Sequence, residues 1–248
     1  EENIFCKIEG SSALVGGWIL IVGLRHDVDN VYGLRRGLPK VVSLEEKYGV
    51  RSTFFVRVDV LSDSDCRVLK QIASRGWEIG LHLINTVNGS ELLPPEDELK
   101  LLKKLLDVPI YGVTPCGHTI GFKGDVTWKI MDSLGLTYME GYGVPDFEVN
   151  TFVMPTHLSF DIFYVAKFGE DYGYRRFRKD LLNMLKKEGM ATVLVHPEWF
   201  VRSVGVRGLK RIMLTFLKRK MMNKVYDRFL CEFKGKVEFM RYIDLCRR

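Results

Sequence analysis

The hexapeptide "RHDVDN" (25–30) follows directly on the apolar run "GWILIVGL" (17–24), so His26, Asp27 and Asp29 stand where a buried strand ends. Three further strand-like runs finish in a related way. "WEIGLH" (77–82) ends on His82 and "TVLVH" (192–196) on His196, while "IYGVTP" (110–115) is followed one short turn later by His118. In a parallel sheet the ligand site lies at the carboxyl ends of the strands. That rule directs Asp27, Asp29, His82, His118 and His196 to one face. Carboxylate plus imidazole is a donor set for a hard-to-borderline divalent metal. An ion held by one Asp and two His lowers the pKa of a bound water and polarises a carbonyl. A second carboxylate can then take the water's proton, and a separate imidazole can protonate a leaving amine. The chemistry these residues support together is hydrolysis.

Taken singly, each group has an ordinary structural use. An Asp after a strand caps a turn or binds backbone N–H groups, and a strand histidine is more often a satisfied core residue than a ligand. The coincidence at four strand exits carries the reading. The side chain of His26 is expected to face away from the site, and His157 lies outside the pattern.

The elements that must position these groups alternate along the chain. Strands are expected at 18–24, 52–58, 77–82, 110–115, 192–196 and 237–243, with weaker ones at 136–140 and 151–155. Helical periodicity lies between them. Ser64–Arg75 carries Val68, Leu69 and Ile72 and stops at Gly76; Glu96–Asp107 places Leu99, Leu102 and Leu106 on one stripe. Asp125–Leu134 closes at Gly135, and Tyr174–Glu188 closes at Gly189. Such alternation reads as an α/β fold with a largely parallel sheet. Without an obvious linker, it is expected to form a single-domain distorted (β/α) barrel over residues 1–248 with about seven strands.

With 46% hydrophobic and 27% charged residues among 248, the chain can build a full core. No apolar run reaches the roughly 18–20 residues that cross a bilayer. Five scattered cysteines without a C-x-x-C pair argue against a disulfide framework or a thiolate zinc site. A reducing, cytoplasmic setting is expected, although the chain starts with Glu and a trimmed leader is compatible with it. The net charge of +6 is uneven: residues 201–248 hold 14 Lys/Arg against 4 Asp/Glu, and the first 200 hold 23 against 27. The segment 207–230 reads first as a barrel-covering helical element with a solvated basic face. Contact with an anionic substrate or a membrane surface ranks below that. Nucleic acid ranks last, because no nucleic-acid fold motif accompanies the charge.

The order "RHDVD", "RSTFFV", "WEIGLH", "YGVTPCGH", "VLVHPEW", running on to "KVEFMRYIDL", resembles the polysaccharide deacetylase superfamily, the NodB-like carbohydrate esterase family four, in a divergent His-Asp-Val-Asp form. The resemblance implies a distorted barrel and a divalent metal, commonly zinc, with cobalt, manganese or nickel as alternatives. It also implies removal of an acetyl group from an N-acetylated sugar. Carried over, Asp27 matches the general base, Asp29 a metal ligand, His82 the first histidine of a His-x-x-x-His metal motif, and His196 the general acid. Two positions depart from the family pattern. Thr86 stands where the second metal histidine is expected, which leaves His118 as the natural third ligand. Val113 stands where the third motif carries Arg, which points away from common chitin- or peptidoglycan-type substrates. Pro115 and Trp199 are the candidate substrate contacts.

Two rival readings use the same residues. "DVDNV" fits the opening of haloacid-dehalogenase-type phosphatases, with Asp27 as nucleophile. That reading needs a later Gly-Asp pair on a strand end, whereas the only one, Gly124-Asp125, starts a helix; it also leaves His82 and His196 unused. The other rival is a metal-free carbohydrate-binding relative that has lost catalysis with the histidine at position 86.

Overall fold

The computed structural model describes residues 14–15, 18–117, 121–217 and 220–248. A short antiparallel pair, β1 (Leu14–Val15) and β2 (Trp18–Ile19), leads into the main sheet. That sheet has nine strands, all paired in parallel. They are β3 (Ile21–Val28), β4 (Thr53–Val56), β5 (Glu78–Leu83), β6 (Gly112–Pro115), β7 (Tyr138–Gly141), β8 (Phe152–Pro155), β9 (Leu158–Ser159), β10 (Met190–Val195) and β11 (Glu238–Met240). Their order is β8-β7-β6-β5-β4-β3-β10-β9, with β11 added beside β3. The two edges, β8 and β9, are joined by only Thr156 and His157, so the sheet must curl until they meet. The barrel is therefore closed by the chain itself rather than by a hydrogen-bonded ladder. Thr192 stitches this seam: its hydroxyl donates to the Pro155 carbonyl at 2.6 Å and accepts the His157 N–H at 2.9 Å.

The count exceeds the expected seven because the two weaker runs also pair, as β7 and β8, and the two-residue β9 joins them; the strand expected at 237–243 shortens to β11 because the chain turns helical at Tyr242. The first strand is also longer than its apolar run. Parallel partners on both sides continue its ladder through Arg25 and His26, and β4 alone carries it on through Asp27 to Val28, opposite Val56. Asp27 thus lies on the strand rather than beyond it, and only Asp29 leaves its end.

Period-2 alternation then sorts the side chains. Val22, Leu24 and Val28 join the main core against the helices. The other parity turns into the barrel. Its floor is the aromatic set Phe55, Tyr138 and Tyr242, with ring centroids 6.0–6.2 Å apart. Glycine makes room for it, since a Cβ on Gly112 would lie 2.0 Å from the Tyr138 ring and one on Gly80 2.5 Å from Phe55. The short C-terminal helix α9 (Tyr242–Leu245) plugs this end.

Outside the sheet pack α1 (Leu38–Tyr48), α2 (Asp63–Ser74), α3 (Pro95–Leu106), α4 (Asp125–Ser133), the single turn α5 (Ala166–Phe168), α6 (Glu170–Glu188) and α8 (Met222–Phe233). Helix ends follow local chemistry. Ser62 and Asp65 form a capping box at the start of α2, and Gly49 and Gly189 end α1 and α6 at φ of 71° and 72°. The expected basic element at 207–230 is two helices, α7 (Gly208–Phe216) and α8, and only α8 is buried. Among the described residues, no helix is long and apolar enough to cross a membrane.

Candidate active site at the strand ends

A cavity of about 840 Å³ opens at the carboxyl ends of the strands, within the usual range for small-molecule sites. Asp27, Asp29, His82 and His196 all line it, as do Pro115 and Trp199. His118 lies outside the described residues. His26 faces away: its Nε2 lies 2.8 Å from Glu45 and its ring stacks on Phe54 in the outer layer. His157 is tied to the barrel seam, its Nδ1 accepting the Thr192 N–H at 3.0 Å.

The two carboxylates of "DVD" keep different company because Asp27 is on the strand and Asp29 is past its end. Asp27 is 4% exposed; its Oδ2 accepts from Arg25 at 2.8 Å, and its Oδ1 is buried without a hydrogen-bond partner. Arg25 shares the inward parity of Asp27. It also donates to Thr114 Oγ1 at 3.0 Å and pairs with the fully buried Glu140, which accepts from Thr114 as well. One guanidinium thus lies between two carboxylates on the cavity floor. Val113, by contrast, is fully buried in the main core and does not line the cavity.

Asp29 faces the histidines. His82 Nε2 lies 2.9 Å from Asp29 Oδ1, and His196 Nε2 lies 3.7 Å from Asp29 Oδ2. Burial opposes a charge on His82, but Asp27 and Asp29 outweigh it and hold its pKa well above the ordinary value. A third donor comes from the turn after β6. Donor atoms of Asp29, His82 and Cys116 all lie within 4.8 Å of one another, a spacing that one ion at roughly 2.0–2.3 Å from each donor spans. Carboxylate, imidazole and thiolate together suit a borderline metal such as zinc or cobalt, so the residues fit a divalent ion. Cys116 is at this cluster, a role its sequence gave no reason to expect.

Thr86, in the place of the expected second histidine, is fully buried. Its hydroxyl donates to the Gly121 carbonyl at 2.6 Å and its own carbonyl accepts from Thr127 at 3.0 Å. It anchors the backbone just beyond the Cys116 turn.

His196 is held by a residue that sequence reasoning missed. Asp161, fully buried in the turn Phe160–Val165, has Oδ2 at 2.9 Å from His196 Nδ1 and also accepts the His196 backbone N–H at 2.5 Å. Burial disfavours the imidazolium, yet Asp161 and Asp29 outweigh that and push the His196 pKa up to about 10. Of the two aromatics after His196, Trp199 lines the cavity, whereas Phe200 is fully buried against Tyr226. Asp125 opens α4 and is absent from the cavity wall, so the phosphatase-type pairing with Asp27 does not form.

No protein-family model matches the chain, and no curated protein matches it in sequence. Solved structures do match in fold. A probable polysaccharide deacetylase from Pseudomonas aeruginosa PAO1 superposes with a TM-score of 0.67 at 15% identity, over 100% of this chain and 96% of that one. The PuuE allantoinase superposes at 0.66 with 13% identity, over 100% and 96%. A family 4 acetyl xylan esterase from Clostridium thermocellum, solved in complex with a cobalt ion, gives 0.50 at 14% identity, over 91% and 89%. The fold is that of the polysaccharide deacetylases.

Proposed function

We propose that the chain is a metal-dependent hydrolase that removes an acetyl group from an N-acetylated sugar or a related amide, cleaving a carbon–nitrogen bond other than a peptide bond. The observation that carries the reading is the division of labour between Asp27 and Asp29. They lie two residues apart and face one cavity, yet Asp29 sits with His82 and Cys116 while Asp27 is held by Arg25.

In this reading Asp29 and His82 hold a divalent ion, zinc by preference, and the segment 116–118 supplies the third donor through His118 or Cys116. When bound, the ion supplies Lewis-acid polarisation of the amide carbonyl and lowers the pKa of a water. Asp27 acts as general base. Arg25 occupies its Oδ2, so the proton is received at Oδ1, the oxygen without a partner. His196 acts as general acid: Asp161 holds Nδ1 and the backbone N–H, which leaves Nε2 facing the cavity to protonate the departing nitrogen. The acetyl carbon gains the water oxygen as its bond to nitrogen breaks, giving acetate and a free amine. Trp199 and Pro115 are the wall against which a sugar ring would lie. Acetate release from a panel of N-acetylated sugars, with zinc or cobalt added to the metal-stripped chain, tests this function.

A further inference from the structure

The helices α1, α2, α3, α4, α6 and α8 each bury an apolar stripe, whereas α7 buries no residue. It is amphipathic all the same, with Leu209, Ile212, Met213 and Phe216 at the spacing of one helix face. That face points outward: Leu209 is 84%, Ile212 67%, Met213 55% and Phe216 86% exposed. The side turned toward the barrel carries the half-buried residues Arg211, Leu214 and Thr215. Thr215 Oγ1 accepts the Ser203 N–H at 3.0 Å and lies 3.2 Å from Ser203 Oγ. Arg211 reaches toward the Trp199 ring, with its guanidinium 5.5 Å from the centroid. The rotation of α7 is thus fixed from inside, and its exposed stripe follows from that anchoring.

Two features say what covers the stripe. Residues 201–226 contain eight Lys/Arg and no Asp/Glu. In addition, Gly205, Val206, Arg207 and Arg211 form part of the cavity wall, which places α7 at its mouth. We propose that α7 docks the chain on an anionic lipid bilayer, its apolar face sunk below the headgroups and the flanking cations among them, with the mouth of the cavity toward the lipid surface. An outward apolar face beside unopposed basic residues is the composition of an interfacial helix. A second copy of the chain is a poorer partner, because a two-fold contact through α7 would face this cationic stretch with itself. Nucleic acid is poorer still, since the outermost side chains are Leu, Ile, Met and Phe rather than the cations that phosphates require.

The test is co-sedimentation of the full chain with vesicles of phosphatidylcholine alone or mixed with phosphatidylglycerol. Partitioning should be at least about tenfold stronger onto the anionic vesicles and weaker at about 1 M than at about 0.1 M salt. The double substitution Ile212→Asp, Phe216→Asp, at positions outside the cavity wall, should reduce it by at least about tenfold with an unchanged far-UV circular dichroism spectrum. The wild-type comparison of the two vesicle types stands even if the variant does not fold. Equal partitioning onto both vesicle types, or full binding by a folded double variant, overturns the proposal. So does a dimer in sedimentation velocity that the substitutions dissolve while vesicles capture neither protein, or capture of the chain by a DNA duplex but not by vesicles. No substrate is present in the measurement, so its failure leaves the hydrolase reading untouched.

Discussion

Asp161 grips His196 twice, through Nδ1 at 2.9 Å and through the backbone N–H at 2.5 Å, and so decides which ring nitrogen meets the cavity. Asp161→Asn keeps the size of the side chain but cannot offer both of these bonds from a charged oxygen. Its expected effect is a fall in kcat on the order of 10²-fold, with KM and metal content nearly unchanged. A kcat equal to that of the wild type would show that His196 needs no such partner.

Asp27→Asn should cost on the order of 10²–10⁴ in rate and leave the bound metal in place, because Asp27 is not part of the Asp29, His82, Cys116 cluster. Elemental analysis alongside kinetics separates this from loss of a ligand. Full activity in the variant would remove Asp27 from the chemistry.

Arg25 compensates two buried carboxylates, Asp27 and Glu140, with all three at most 5% exposed in their side chains. Arg25→Met strands both charges and should destabilise the fold by about 3–5 kcal/mol in urea unfolding. Arg25→Lys keeps the charge without the planar fork, so it should recover much of that stability but not the rate. Equal stability in wild type and Arg25→Met would mean that the guanidinium is not holding the floor of the site.

The barrel seam should be pH-sensitive through His157. Burial lowers its pKa, and its Nδ1 must stay unprotonated to accept the Thr192 N–H. A base with a depressed folded-state pKa binds fewer protons folded than unfolded, so stability rises with pH across the interval between the two values. The contribution is complete above the unfolded value of about 6.5 and is lost as pH falls through the lower folded value. Unfolding midpoints measured across this range should fall more steeply for wild type than for His157→Gln. Parallel curves would contradict the assignment.

Much of this arrangement was legible in the residue pattern. Apolar runs located most of the main strands, and the carboxyl-end rule brought Asp27, Asp29, His82 and His196 to one cavity. What it could not show depended on distant partners. Arg25 stands beside the acidic motif, but its other contacts, Thr114 and Glu140, come from β6 and β7. Asp161 follows a two-residue strand with no periodic signal of its own, and its partner is 35 residues away. For α7 the period was readable but the side was not. An apolar stripe has the same spacing facing in or out: α8 buries its stripe and leaves Lys224 and Arg228 exposed, as expected, whereas α7, anchored by Thr215 on Ser203, turns its stripe outward.

The metal cluster carries its own spectroscopic test. Cobalt bound through Asp29, His82 and Cys116 should show a thiolate charge-transfer band in the near ultraviolet that Cys116→Ser abolishes. Its absence in a cobalt-loaded wild-type chain would leave His118 as the third donor.

The most direct measurement is acetate release from N-acetylated sugars by the metal-stripped chain before and after zinc or cobalt is restored, with His82→Ala alongside. The account predicts no release without metal, recovery with it, and neither metal retention nor activity in His82→Ala. Release that persists in the stripped chain or in His82→Ala, or that no metal elicits from any substrate of the panel, would contradict it.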